Sequence, residues 1–312
     1  MNRFDCLLHD ITSQRVFHRI TRAAEITSGG SGATLLDVTD GNSRYVVKTT
    51  FNAPYIHEER LKSYQREYDF YGVCRKQHIP FVPEIIHLEQ HDDYGIIMVM
   101  KYVRPVRRDE WDMARQLQAV DLCARLASLD IHMLRDTPMA FREIAIAPEF
   151  SLRSYMEWLS VVRRHNGRLD EKNIGRIYEN LDMVCPILNA RPHGVCHGDF
   201  HPNNILSDGE NLVICDWQNI NIGKCAGDFS FFLKRGFNFG IDQSNGALFE
   251  HYYNQLSRYT RESIDRPVLW KETCASTVHN SFLFWPFHLK NAKFERTKSI
   301  YDGMVRAFEE LQ

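Results

Sequence analysis

HGVCHGDFHPNNILSDGENLVICDWQ, residues 193–218, is the stretch whose reading decides the fold. It joins His197-Gly198-Asp199 to an asparagine at 204, five positions after the aspartate. A turn at Asp208-Gly209 then leads into the apolar run Leu212 to Cys215, which ends on Asp216. The spacing brings three polar side chains together from a loop and an adjacent hairpin. An aspartate on a loop, an asparagine a few residues on and a second aspartate at a strand end supply one base and two oxygen donors. That is the set magnesium-assisted phosphoryl transfer needs. A competing reading takes His197, Asp199 and His201 as zinc ligands of a hydrolase, but no further histidine or carboxylate cluster completes such a site.

Upstream, residues 25–103 read mostly as strands. ATLLDV and RYVVKTT are β-branched or aromatic runs separated by Asp40-Gly41-Asn42-Ser43, the chemistry of a hairpin turn. Glu58 to Lys76 then carries apolar or aromatic residues at roughly helical spacing, and Pro80 and Pro83 stop any continuation. Two more strands follow, EIIHLEQ and GIIMVMKYV, the second almost wholly apolar and so expected at the centre of its sheet. Beyond Asp109 the period changes: 112–134, 152–164 and 171–188 read as amphipathic helices, and the tail after Asp228 is mainly helical and rich in aromatics.

The chain has 312 residues, with 38 Lys and Arg against 40 Asp and Glu, a balance that argues against a nucleic-acid partner. Its longest apolar window, YGIIMVMKYV, is far below the ~18–20 residues of a membrane span. The N-terminus lacks the roughly 7–15 residue apolar run of a signal peptide, so a cytoplasmic location is expected. The eight cysteines form no C-x-x-C pair and read as reduced core residues.

The 193–218 segment resembles the catalytic region of the protein-kinase-like small-molecule phosphotransferases, the aminoglycoside phosphotransferase and choline kinase superfamily. Their H-G-D-x-x-x-x-N pattern is matched by His197, Gly198, Asp199 and Asn204, and their D-W-[EQ] motif by Asp216-Trp217-Gln218. The resemblance spans about residues 25–235 and fades beyond. It implies an α+β two-lobed fold, with an antiparallel-sheet lobe carrying one helix over 1–103 and a larger, mainly helical lobe over 104–312.

The resemblance also implies roles. Asp199 would accept or orient the proton of an acceptor hydroxyl, Asn204 and Asp216 would hold Mg2+, and His201 would touch the transferring phosphate. Ser28-Gly29-Gly30-Ser31-Gly32, between two strands, would admit backbone N–H groups to the ATP phosphates. Lys48, near the end of an apolar strand, would meet the α and β phosphates, paired with Glu67 as the preferred acid or with Glu58 or Glu59. Met100, Lys101 and Tyr102 fall at the hinge, where backbone would meet the adenine edge. Asp228 would brace the catalytic loop. Gln218 stands where many relatives have an acid, which leaves its part in metal binding open.

The expected reaction is transfer of the γ-phosphate of ATP to a hydroxyl of a small metabolite, amino alcohol or antibiotic. A pseudokinase that binds nucleotide without transfer is the alternative. ATP and a small hydroxylated acceptor are the expected partners, with neither nucleic acid nor membrane insertion. Trp270, Phe282, Phe284, Trp285, Phe287 and His288 in the tail are read as core packing or as the wall of an acceptor pocket.

Overall fold

The computed structural model describes residues 3–26, 33–50, 58–134, 151–190, 192–241, 246–261 and 263–312. In chain order the first half contains α1 (Arg3–Ser13), β1 (Ile20–Glu25), β2 (Thr34–Asp40), β3 (Ser43–Thr49), α2 (Glu58–Gln77), β4 (Ile85–His91), β5 (Gly95–Lys101), β6 (Arg104–Pro105), α3 (Met113–Ala127) and α4 (Ser151–Arg164). The second half contains α5 (Glu171–Glu179), α6 (Val184–Asn189), β7 (Gly194–Cys196), β8 (Ile205–Ser207), β9 (Leu212–Ile214), β10 (Asn221–Gly223), α7 (Ala226–Gly236), α8 (Gly246–Thr260), α9 (Arg266–Leu283), α10 (Trp285–Leu289) and α11 (Phe294–Glu309). They form two compact units. One comprises Met1–Pro105, His132–Phe141 and Leu206–Asn219; the other comprises Val106–Ile131, Arg142–Ile205 and Ile220–Gln312.

The first unit is built on an antiparallel sheet in the order β1-β2-β3-β5-β4. The β2–β3 hairpin closes at Asp40↔Ser43 around Gly41, whose φ of 59° lies in the left-handed region that glycine enters without penalty. Side chains alternate across the strands, so Val47 and Lys48 leave β3 on opposite faces. Val47 joins Leu36, Val38, Ile97 and Val99 under Leu7, Leu8 and Ile11 of α1 and Phe17. Each such side chain removed from water contributes about 1.5–3 kcal/mol. Lys48 lies on the other face, with Glu67 of α2. The sequence reading expects one helix in this region, without α1; the structure has two helices and five strands in the main sheet. A second, smaller sheet, β6-β8-β9, is tied to the unit where the Ile214 N–H donates to the Phe81 carbonyl at 2.8 Å.

The second unit is helical apart from the β7–β10 pair. Its main core joins Trp158 and Val162 of α4, Ile174 and Ile177 of α5, Val278 and Phe282 of α9, and Ile300, Met304 and Phe308 of α11. The expected long helix from 112 to 134 ends at Ala127. Ser128 caps it with its N–H on the carbonyls of Ala124 and Arg125 and its hydroxyl on Arg125. The expected helix over 171–188 breaks at Asn180, whose side chain turns back to the Arg176 carbonyl, and resumes as α6 with Pro186 in the first turn, where no N–H is needed. Among the tail aromatics Phe282 and Trp285 are core, whereas Phe284 is 52 % exposed. All eight cysteines are unbridged. No helix among the described residues is long and apolar enough to cross a membrane.

Candidate active site

In the first unit, Lys48 Nζ lies 2.6 Å from Glu67 Oε2 and 3.0 Å from Asp216 Oδ1. Lysine and glutamate are both sealed inside, at 5 % and 1 % exposure. Burial alone would depress the lysine pKa; the two carboxylates more than reverse this and hold it well above its ordinary value, so the ammonium stays charged. Burial pushes the Glu67 carboxyl up, and Lys48 draws it back. Glu58 and Glu59, the alternative acids, instead lie on the exposed first turn of α2 and pair with Lys62. Lys48 thus pairs with Glu67 because strand alternation and the buried stripe of α2, Tyr64, Glu67, Phe70, Tyr71 and Cys74, face one another.

Asp216, two residues past β9, has φ 65°, a left-handed conformation that aspartate tolerates better than most residues. The turn is held from three sides. The Trp217 N–H donates to Glu67 Oε1 at 3.3 Å, the Trp217 ring packs 4.4 Å from Phe70, and Arg66 donates to the Gln218 carbonyl at 3.2 Å. Gln218 Nε2 donates to Asp216 Oδ1 at 2.7 Å. Its side chain therefore acts here as a donor that orients the carboxylate, an assignment the spacing alone did not supply.

Met100 is buried at the end of β5, while Tyr102 lies under the Arg44 guanidinium at 3.7 Å. The N–H groups of Lys101 and Tyr102 are already committed, donating to the carbonyls of Glu84 at 2.9 Å and Arg44 at 2.8 Å. Ser28, Gly29, Gly30, Ser31 and Gly32 lie outside the described residues.

In the second unit, Asp199, His201 and Asn204 form one compact loop. Asn204 Nδ2 donates to the Asp199 carbonyl at 3.0 Å and approaches its Oδ2 at 3.4 Å. His201 Nδ1 accepts the Asn203 N–H at 3.2 Å, which assigns the proton to Nε2, and that atom sits 3.4 Å from Asp199 Oδ1. His197 Nδ1 accepts the Asp199 N–H at 3.2 Å. Both imidazoles thus use Nδ1 to shape the loop, and among the described residues no group of three histidine, cysteine, aspartate or glutamate side chains is arranged for a metal.

Asp228, in the first turn of α7, accepts the N–H groups of His197 at 2.6 Å and Gly198 at 2.9 Å. Gly198 has φ 77°, the conformation that turns both N–H groups onto one carboxylate and that an arginine there would resist. Burial lifts the Asp228 pKa to about 7 against the pull of those two bonds.

Asn204 and Asp216 each offer hard oxygen donors, an amide carbonyl and a carboxylate, of the kind Mg2+ takes. The first unit carries the charged Lys48 and the Asp216 carboxylate, and the second carries the loop Asp199 and the Asn204 amide.

The family model described as the phosphotransferase enzyme family matches residues 22–264. A search of curated proteins finds no match. Among solved structures, the AMP-bound complex of a spectinomycin phosphotransferase is similar at TM-score 0.63 and 15 % identity, covering 96 % of this chain and 98 % of that one. A microcompartment-associated aminopropanol kinase is similar at TM-score 0.62 and 14 % identity, covering 96 % and 95 %. The choline kinase of Cryptosporidium parvum gives TM-score 0.61 and 13 % identity, covering 98 % and 95 %. These likenesses show a protein-kinase-like fold, and the family match over most of the sequence shows that the chain belongs to the phosphotransferase enzyme family.

Proposed function

We propose that this phosphotransferase moves the γ-phosphate of ATP to a hydroxyl group of a small molecule, with Lys48, Asp199, Asn204 and Asp216 serving one triphosphate. The observation that carries the reading is the pairing of one buried ammonium, Lys48, with two carboxylates, Glu67 and Asp216. A purely structural ion pair needs a single acid. The second leaves a net negative charge, and it sits on the partner whose side chain is 37 % exposed, where a divalent cation and phosphate oxygens would complete the balance.

Lys48 would hold phosphate oxygens, fixed in direction by Glu67. Asn204 and Asp216 would be the oxygen ligands of Mg2+, which when bound neutralises phosphate charge. Asp199 would receive the proton of the acceptor hydroxyl as it attacks in line. His201, with its Nε2 proton facing Asp199 Oδ1, would keep that carboxylate turned toward the acceptor.

Replacing Asp199 with asparagine keeps the shape of the loop and removes the base. Asp199→Asn is expected to lower acceptor-dependent ADP release by roughly 10²–10⁴-fold. The thermal shift given by Mg2+ and a non-hydrolysable ATP analogue should remain. Full transfer activity in that variant would defeat the assignment, and a wild type that binds nucleotide but never releases ADP with any hydroxylated acceptor would favour a pseudokinase.

A further inference from the structure

Helix α7 carries more than the brace for the catalytic loop. One turn beyond Asp228, the ring of Phe231 lies 6.1 Å from His201, the neighbour of Asp199. Three positions further along is Lys234, 3 % exposed. Among the described residues no hydrogen bond or ion pair reaches it. Ser230, one turn before it, bonds Thr277 of α9 at 2.9 Å, which fixes this part of the helix against α9.

The charges around this lysine offer it no relief. From α11, Arg306 repels it and Asp302 attracts it, but Asp302 is already paired with Lys298. On α7 itself the next residue is Arg235; burial lowers the pKa of Arg296 on α11, and Arg235 lowers it further. Four cations, Lys234, Arg235, Arg296 and Arg306, are thus distributed over α7 and α11, and Asp302, the acid that attracts Lys234, is engaged by another lysine. Burial, with Arg306 adding to it, pulls the Lys234 pKa down to about 7. A buried cation without a counter-ion is costly, and an apolar side chain would pack there at no such cost.

We infer that Lys234 receives an anionic group, a carboxylate or a phosphate, carried by the acceptor whose hydroxyl meets Asp199. This deepens the proposed function and rests on it for the position of the hydroxyl. Residues three apart on a helix have Cβ atoms about 5–6 Å apart, so the anion would sit about one turn along α7 from the Phe231 and His201 contact. The same cations disfavour a positively charged acceptor such as an amino alcohol.

The test is a thermal-shift titration in saturating Mg2+ and AMP-PNP, with inorganic phosphate, glycerate and ethanolamine as probes, on wild type and on Lys234→Met, a substitution of similar length without charge. Phosphate and glycerate should stabilise the wild type, Lys234→Met should lose at least about tenfold in apparent affinity for both, and ethanolamine should stabilise neither. The nucleotide-induced shift of the variant reports its folding, and the ranking of the three probes on the wild type needs no variant. Stabilisation by ethanolamine with no response to phosphate and glycerate would overturn the inference, as would equal titrations of the two proteins. ADP release distinguishes the two claims. Lys234-dependent anion binding with no ADP released by any acceptor leaves the anion site standing and removes the transfer reading. ADP release with cationic acceptors alone does the reverse.

Discussion

The carboxylate of Asp216 is shared on a single oxygen, Oδ1, by Lys48 at 3.0 Å and Gln218 at 2.7 Å. Groups that orient a ligand typically contribute 10–100-fold to metal affinity, so Gln218→Leu should weaken Mg2+-nucleotide binding by about tenfold, read by calorimetry against nucleotide alone. Which partner Gln218 takes was not legible in the sequence, because a D-W-Q triplet does not say whether the amide presents its oxygen or its nitrogen. Asp228 is the second residue whose behaviour follows from its surroundings. Its pKa is about 7 in the folded chain against 3.8 for an ordinary aspartate. Below about pH 4 both states hold the proton. Between about pH 4 and 7 the unfolded chain releases it while the folded chain keeps it, so this group's contribution to stability falls as pH rises and is flat above 7. The decline has an upper bound on the order of 4 kcal/mol. Urea unfolding of wild type and Asp228→Asn should therefore differ by an amount that decreases from pH 4 to 7; a difference independent of pH would contradict the assignment.

At the level of elements, the Lys48–Glu67 bridge is what joins β3 to α2 on the face of the sheet opposite α1. Removing one partner leaves the other charge buried and alone. Lys48→Met should cost about 3–5 kcal/mol of folding stability, and the double variant Lys48→Met/Glu67→Leu should regain much of it. Chemical denaturation of the single and double variants makes the comparison, and additive losses would count against a direct pair. The hairpin and α2 were legible because local signals, the Asp-Gly-Asn-Ser turn and the helical spacing ended by prolines, agree with the tertiary result. α1 was not expected, although Leu7, Leu8 and Ile11 have the spacing of a buried helical face, because an apolar stretch at the start of a chain is weighed first as a targeting signal. The early ends of α3 and α5 depend on single capping residues, Ser128 and Asn180, which periodicity does not detect.

For the molecule as a whole, two motifs in 26 residues were enough to indicate the fold, because the catalytic loop and the Asp216 turn need the scaffold that presents them. The charge pattern of the helical tail was not legible in the same way. By count its acids and bases balance, and only the folded arrangement shows Asp302 engaged by Lys298 while, among the described residues, no ion pair reaches Lys234. The most direct measurement of the central proposition is a crystal structure with Mg2+ and AMP-PNP. The account predicts Lys48 Nζ on α- and β-phosphate oxygens, Asn204 and Asp216 oxygens on Mg2+, and the Asp199 carboxylate facing the γ-phosphate. A bound triphosphate that any of these four groups fails to approach would contradict it.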